Sequence, residues 1–145
     1  MFIRVPQVAD LPVLVRLWQE QVNLLAILSP KLAQLIPPLA YWSSAFQAAL
    51  SDSQQQIYLA ENSTHVLGFM WLNVERGLTG SVVATCIEIH GQGSAVGAAL
   101  WSPARNWFGL QGVSVVSIPR QSAIADAFWA TQGAVVTDRG LSISL

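Results

Sequence analysis

The sequence has few charged residues: they occupy 10% of its 145 positions, whereas an ordinary soluble domain carries about 25%. Lys31 is the only lysine, the arginines are scattered, and the formal net charge is −1. Nucleic acids and anionic membrane surfaces are bound through clusters of basic residues. Because the sequence contains no such cluster, we expect neither nucleic acid nor membrane among the partners.

Cysteine and long apolar runs are also scarce. Cys86 is the single cysteine, so no disulfide can form within the chain and a cysteine-based metal site lacks its partners. Its apolar surroundings predict a small core residue. No apolar run approaches the ~20 residues that span a bilayer, and no basic start leads into an apolar stretch with a cleavage site. We therefore expect a soluble, cytoplasmic protein without a metal.

Apolar side chains, by contrast, are abundant. Hydrophobic residues make up 52% of the chain, and six residues are tryptophan. A chain of this length is expected to form one domain over residues 1–145 and to bury about two-thirds of its unfolded surface. The hydrophobic content exceeds what a monomer of this size usually buries, which favours a self-association interface such as that of a homodimer, although a large core would also account for part of the excess.

Hydrophobic periodicity predicts the order of the elements. The predicted strands are Phe2–Val5, Gln56–Ala60, Val66–Glu75, Ser81–Ile89, Val113–Ile118 and Leu141–Leu145. The predicted helices run from Asp10 as N-cap to Ser29-Pro30, from Pro37-Pro38, from the glycine loop to Gly109, and from Ser122 as cap to Thr131. This order, β-α-α-β-β-β-α-β-α-β with one more strand near Val135, predicts an α/β (α+β) fold. Its mixed sheet should carry helices on both faces.

The segment Ser81–Trp107 organises the rest of the chain. It reads SVVATCIEI, then HGQGSAVG, then AALWSPARNW, so a strand passes into a helix through glycines. The first N–H groups of such a helix lack partners and, with the helix dipole, form an anion site that most often binds phosphate. The segment therefore predicts a site for the pyrophosphate of a nucleotide-like cofactor.

One interpretation of the glycines is a dinucleotide-binding loop, since Gly91, Gly93 and Gly97 follow a strand. A glycine spacing alone is weak evidence, and this type of site requires an acidic residue at the end of the next strand. That strand ends at Ser117–Arg120 without an acid, although Arg120 would suit a 2′-phosphate. An NADP-binding domain stays as an alternative, which the two successive helices and the hairpin disfavour.

A second interpretation rests on Ile87, Gln92, Ala95 and Gly97. They occupy the positions of a motif that reads Val-x-x-x-x, then Arg or Gln, x-x-Gly-x, then Gly or Ala. The segment thus resembles the acyl-CoA-binding motif of the GNAT superfamily of N-acetyltransferases. Further matches at the family's spacing are Ile3-Arg4, Ala9-Asp10-Leu11, Gly112, Val116-x-Ile118, Ser122-x-x-Ala125-x-x-Phe128-Trp129 and Gly133. The resemblance covers nearly the whole chain and implies a GNAT-like mixed, mostly antiparallel sheet of six to seven strands flanked by four helices.

The resemblance also implies an activity: direct transfer of an acetyl group from acetyl-CoA, as cosubstrate, to an amine of a small molecule or peptide. A backbone N–H near Ile87 would polarise the thioester carbonyl, and the open edge of Thr85–Ile89 would pair with the pantetheine arm. The implied cofactor-binding residues are Ile87, Ile89, Gln92, Gly93, Ser94, Ala95, Val96, Gly97 and Ser122. Apolar stripes of the first two helices would form core and, in part, line an apolar acceptor site.

Five departures from the family pattern affect this interpretation, and two of them are Ser122 in place of asparagine and Ala134 in place of phenylalanine. Trp129 stands where many members place the tyrosine that protonates the departing thiolate, and an indole N–H is no acid at neutral pH. Ala95 replaces a glycine that allows close approach to phosphate, and Pro103 is expected to kink the third helix. The missing tyrosine leaves a non-catalytic acyl-CoA-binding or interaction module as an alternative function.

No catalytic residue can be assigned from the sequence. Glu88 lies in the strand before the loop, on the face that strict alternation gives to Cys86, and His90 immediately precedes the loop. Glu75 and Tyr58 lie in other predicted strands. Each also has a simpler interpretation, as a solvated carboxylate, a loop histidine, a strand-end charge and a packed aromatic, respectively.

Overall fold

The structure is a computed structural model that describes residues 1–34, 38–78, 82–91, 94–119 and 123–145. Its strands are β1 (Phe2–Arg4), β2 (Gln55–Glu61), β3 (Val66–Arg76), β4 (Val82–Gly91), β5 (Val115–Ile118), β6 (Val135–Thr137) and β7 (Gly140–Ser144). Its α-helices are α1 (Leu11–Leu28), α2 (Pro30–Ala33), α3 (Leu39–Leu50), α4 (Ser94–Leu110) and α5 (Ala123–Thr131). The four longer helices and the strand near Val135 agree with the predicted order.

One sheet contains all seven strands that the described residues form, in the order β1-β2-β3-β4-β5-β7-β6. Neighbours are antiparallel except β4 and β5, which run parallel because α4 connects them as a crossover. The predicted mixed, mostly antiparallel sheet is confirmed. The antiparallel succession β1 to β4 differs from the alternating strands and helices of a doubly wound dinucleotide-binding fold.

Helices cover both faces of the sheet, and alternation along β3 divides the two cores. Phe69 and Trp71 pack with the core formed by α1, α3 and β2, whereas Met70 and Leu72 pack with the core that contains α4. Much of the apolar stripes of the first two long helices is buried: Leu14, Leu17, Trp18, Phe46 and Ala49. These residues are core, whereas Leu24 of α1 is exposed.

The start of α1 differs from the prediction that Asp10 is its N-cap. Asp10 ends a 3-10 turn over Val8–Asp10, and α1 begins at Leu11. The Asp10 carboxylate instead accepts the backbone N–H of Gln7 at 2.7 Å. This turn depends on a hydrogen bond between backbone and side chain, which hydrophobic periodicity does not detect. The same carboxylate also accepts hydrogen bonds from Arg4, six residues away.

Arg4 joins three local elements through its guanidinium group. Nη1 and Nη2 donate to the two Asp10 oxygens at 2.8 and 2.9 Å, and Nε donates to Glu61 Oε1 at 2.9 Å. Bidentate arginine–carboxylate pairs of this kind fix geometry as well as charge. The network therefore fastens β1 to β2 and to the turn that leads into α1.

The Asp10 pair should make stability depend on pH in the acid range. The hydrogen bond from Arg4 lowers the pKa of Asp10, so its contribution is complete above the unfolded value of about 3.9 and is lost as pH falls through the folded value. We expect Asp10→Asn to cost about 1 kcal/mol at pH 7 and progressively less below pH ~4, measured by urea unfolding. Asp138→Asn, in the exposed turn between β6 and β7, is the charge-matched control. An equal loss for both variants at pH 7 would contradict the role of Arg4.

Among the described residues, no helix combines the length and the apolar character needed to cross a membrane.

Candidate functional site

The two parallel strands separate within the sheet. β4 and β5 pair only at Ala84–Val116 and Thr85–Ser117, although β4 continues to Gly91. Beyond Thr85, β4 still pairs with β3 as far as Gly91. In the described part of the chain, the edge of β4 that faces β5 therefore has no strand partner from Ile87 to Gly91, and its backbone groups there can pair with an extended ligand.

A β-bulge lies just beyond the point of separation. Trp71 pairs with Glu88 and Leu72 pairs with Cys86, so Ile87 is an extra residue without an opposite partner. The bulge interrupts strict alternation, on which the assignment of Glu88 to the face of Cys86 depended. The strict alternation on which this assignment rested does not hold, because the register of β4 with β3 places Glu88 opposite Trp71 and Cys86 opposite Leu72. The bulge also frees the Ile87 backbone from regular pairing.

The N-terminus of α4 lies at the same end of β4. α4 begins at Ser94, and the first four N–H groups of an α-helix have no partner within the helix. Among the described residues these are the amides of Ser94 to Val96, and the side chain of Ala95 is exposed. The helix has no acidic residue in its first turn, so its positive end stays available to an anion from outside.

Gly97 belongs to this helix rather than to the preceding loop, and it is buried. A Cβ atom at Gly97 would lie 3.0 Å from Cε2 and Cζ of Phe128 on α5. The glycine therefore permits α5 to pack closely against the first turn of α4. Val96 is also buried, at 5% exposure, so Ala95 is the one predicted cofactor-binding side chain that the structure places at the surface of this turn.

Trp129 lies in the core that contains α4. It is 1% exposed, and its ring meets that of Trp101 edge to face with centroids 5.1 Å apart. Within the described residues its Nε1 has no hydrogen-bond partner. A buried indole packed in this way has a structural role, and nothing in its surroundings turns it into a proton donor for a leaving group.

The other polar candidates are separated in the structure. Tyr58 packs against the α4 core, and its burial raises the pKa of its phenol, which favours the neutral form. Glu75 is exposed near the end of β3 and is paired in register with Val83, at the opposite end of β4 from Gly91. The backbone of His90 pairs with Phe69. No hydrogen bond joins the described side chains of Tyr58 and Glu75.

Several predicted cofactor-binding positions cannot be placed. Gln92, Gly93 and Ser122, with Arg120 of the alternative interpretation, lie outside the described residues. The backbones of Ile87 and Ile89 lie on the open part of β4, with Ile89 opposite Met70. Cys86 is buried, as predicted, and no group of three or more His, Cys, Asp or Glu residues within the described ranges is arranged to hold a metal.

Comparison with known proteins identifies the fold. No protein-family model matches the chain, and no curated protein matches its sequence. Solved structures do match. The tetramutant of the BH1408 protein from Bacillus halodurans superposes with a TM-score of 0.80 at 12% identity, over 100% of both chains. The PaiA N-acetyltransferase from Thermoplasma acidophilum, solved in complex with coenzyme A, gives 0.74 at 15% identity, over 99% of this chain and 98% of that one.

A third match is the integron cassette protein HFX_CASS3 from the mobile metagenome of Cole Harbour Salt Marsh. It has a TM-score of 0.74 at 20% identity and covers 94% of this chain and 85% of that chain. With the strand order, the separated parallel strands and the helix that follows β4, these likenesses define a GNAT-like fold. The family resemblance of the sequence is thus confirmed at the level of the fold.

Proposed function

We propose that the protein is an acetyl-CoA-dependent N-acetyltransferase that acts on an amine of a small molecule or peptide. The observation that carries this proposal is the open edge of β4 beyond Thr85, directly followed by the free first-turn amides of α4. An extended pantetheine arm can pair with such an edge, while its pyrophosphate meets the amides of Ser94 to Val96. The PaiA acetyltransferase with bound coenzyme A has the same fold, which supports the same class of ligand here.

The bulge at Ile87 supplies the chemistry of acyl transfer in this proposal. Its backbone N–H is the donor next to the separation of the strands, where it would stabilise the negative charge that develops on the thioester oxygen. The amine nitrogen attacks the carbonyl carbon, a C–N bond forms, and the C–S bond breaks to release the CoA thiolate. One proton leaves the amine through a base or water, and one proton ends on the thiolate or in solvent.

The burial of Trp129 limits how the thiolate leaves. Because the indole is not an acid, the thiolate departs without a proton from this residue. A thiol with a pKa of about 8.5 is an acceptable leaving group near neutral pH without such help. Catalysis in this protein would then rest on positioning and on the oxyanion donor rather than on a general acid.

Trp129 is also the observation that favours a second candidate, an acyl-CoA-binding module without activity. This candidate has the same cofactor site but lacks turnover. The two functions differ in one measurable property, the release of free CoA thiol in the presence of an amine.

Calorimetric titration of the purified chain with acetyl-CoA, CoA and NADPH tests the cofactor. We expect acetyl-CoA and CoA to bind and to compete with each other, and NADPH to give no heat. Binding of NADPH alone would overturn the proposal in favour of the dinucleotide site. Thiol release with a panel of amines then separates the enzyme from the binding module, because turnover of any amine eliminates the module.

A further inference from the structure

A row of polar side chains crosses the sheet on the face that carries α1 and α3. Cross-strand pairing links its members from β2 to β7 in direct succession: Gln55 with Asn73, Asn73 with Thr85, Thr85 with Ser117, and Ser117 with Ser142. Residues directly opposite each other on neighbouring strands share a face. We call Gln55, Asn73, Thr85, Ser117 and Ser142 the polar row.

The face of the polar row follows from its buried neighbours. Leu72 and Val74 flank Asn73 along β3, and both belong to the α4 core on the other face. Ala84 and Cys86 flank Thr85 in the same manner. The row therefore lies opposite α4, and the described residues leave it accessible: Ser117 is exposed, and the other four are half-buried.

The polar row crosses the sheet at the rung where β4 and β5 separate. Thr85 and Ser117 form the last pair between these strands, so the row borders the open edge of β4. Ile87, the bulged residue, lies two positions further along β4, a distance of about 7 Å. A ligand bound to the polar row would therefore lie within reach of a second molecule bound at the Ile87 bulge.

A shallow cleft that is widely open to solvent extends from one end of the row. Its lining includes Gln55 and Asn73 of the row itself, together with Asp52, Gln54, Glu75 and Arg76. Hydrogen bonds from the Gln55 side chain and the Gln54 N–H lower the pKa of Asp52, so its carboxylate stays charged. Arg76 is the one cationic side chain among these lining residues, and it donates a hydrogen bond to the Gln111 carbonyl at 2.9 Å. Part of its hydrogen-bonding capacity is therefore already used within the protein.

The row has hydrogen-bonding capacity to spare. Gln55 is fixed in place, since its Oε1 accepts Trp71 Nε1 at 2.8 Å and its Nε2 donates to Asp52 at 2.9 Å. Among the described residues, by contrast, no hydrogen bond occupies the side chains of Asn73, Thr85 or Ser117. The side-chain amide of Asn73 is half-buried beside the cleft and has no hydrogen-bond partner among the described residues. It is therefore positioned to bind a polar ligand.

We propose that the polar row and its cleft bind the acceptor, and that the acceptor is a small hydrophilic amine with hydroxyl or amide groups near the amino group. This inference rests on the proposed function. Asn73, Thr85 and Ser117 hydrogen-bond the polar groups, while Asp52 and Glu75 attract the incoming ammonium group. The acceptor approaches from the face opposite α4, so that it does not compete for space with a molecule held at the α4 amides.

The test is a nitrogen-15 NMR titration of the CoA-saturated protein with three primary amines: glucosamine, glycinamide and tryptamine. The side-chain amide signals of Asn73 are assigned by their loss in Asn73→Leu. We expect glucosamine or glycinamide to shift these signals and to bind at least tenfold more tightly than tryptamine. Asn73→Leu should weaken that binding about tenfold, the effect of one hydrogen bond, and leave CoA affinity unchanged.

Ser144→Ala is the matched control, because Ser144 lies on β7 two residues from Ser142 and outside the row. It should leave amine binding unchanged. Preference for tryptamine, no response to either hydrophilic amine, or equal amine affinity in Asn73→Leu and the natural chain would each overturn the inference while CoA still binds. Failure of CoA to bind would instead overturn the proposed function.

Discussion

Gly97→Val should destabilise the protein by about 3 kcal/mol, the upper part of the range for overpacking a buried contact. Any Cβ at this position already meets the Phe128 ring at 3.0 Å, and the two further methyl groups of valine would have to enter the contact between α4 and α5. The ring end of Phe128 can shift by a few tenths of an ångström, which does not suffice for valine. Urea unfolding monitored by tryptophan fluorescence measures the loss.

Gly109→Val is the matched control for this variant. Gly109 lies in the same helix, and a Cβ there meets nothing within 4 Å. Because valine is a slightly better helix former than glycine, this change should be neutral or stabilise by a few tenths of a kcal/mol. Phe128→Ala in the Gly97→Val background should recover part of the loss. A Gly97→Val protein as stable as the Gly109→Val protein would show that α5 does not pack on Gly97 in solution.

This role of Gly97 was not visible in the sequence. Its position in the family motif predicts a phosphate contact, and on that basis a bulky residue would abolish cofactor binding with the fold intact. In the structure Gly97 is in addition a packing position, because Phe128 of α5, 31 positions further along the chain, lies against it. Loss of binding in a Gly97 variant therefore cannot be separated from loss of packing.

Periodicity was sufficient for the order of the elements. The sequence predicts a strand over Val66–Glu75, and the structure divides Phe69, Met70, Trp71 and Leu72 between two cores. What depends on register was not predictable. The bulge at Ile87 is defined by how β4 pairs with β3, which the sequence of β4 alone does not determine. The polar row combines residues of five strands, and no regular spacing in the sequence relates these residues to one another.

Ala95→Glu should weaken the binding of CoA about 10- to 100-fold while preserving the fold. Ala95 is exposed in the first turn of α4, where a carboxylate stabilises a helix by about 0.3–1 kcal/mol through the helix dipole. The same carboxylate would repel a pyrophosphate bound to the amides of Ser94 to Val96 by a few kcal/mol at most, since the site is open to solvent. Stability and affinity should therefore change in opposite directions, which no general damage to the protein would produce.

Asn106→Asp tests whether the position or merely the added charge matters. Asn106 is exposed on the same helix, about 16 Å further from its N-terminus, which exceeds the screening length of about 8 Å at physiological salt. Calorimetry should find CoA affinity unchanged in this variant, and the deficit of Ala95→Glu should shrink as salt is added. If both variants lose affinity equally, the charge acts through the whole molecule. If neither does, the pyrophosphate is held elsewhere, and the first turn of α4 is a structural feature rather than the anion site.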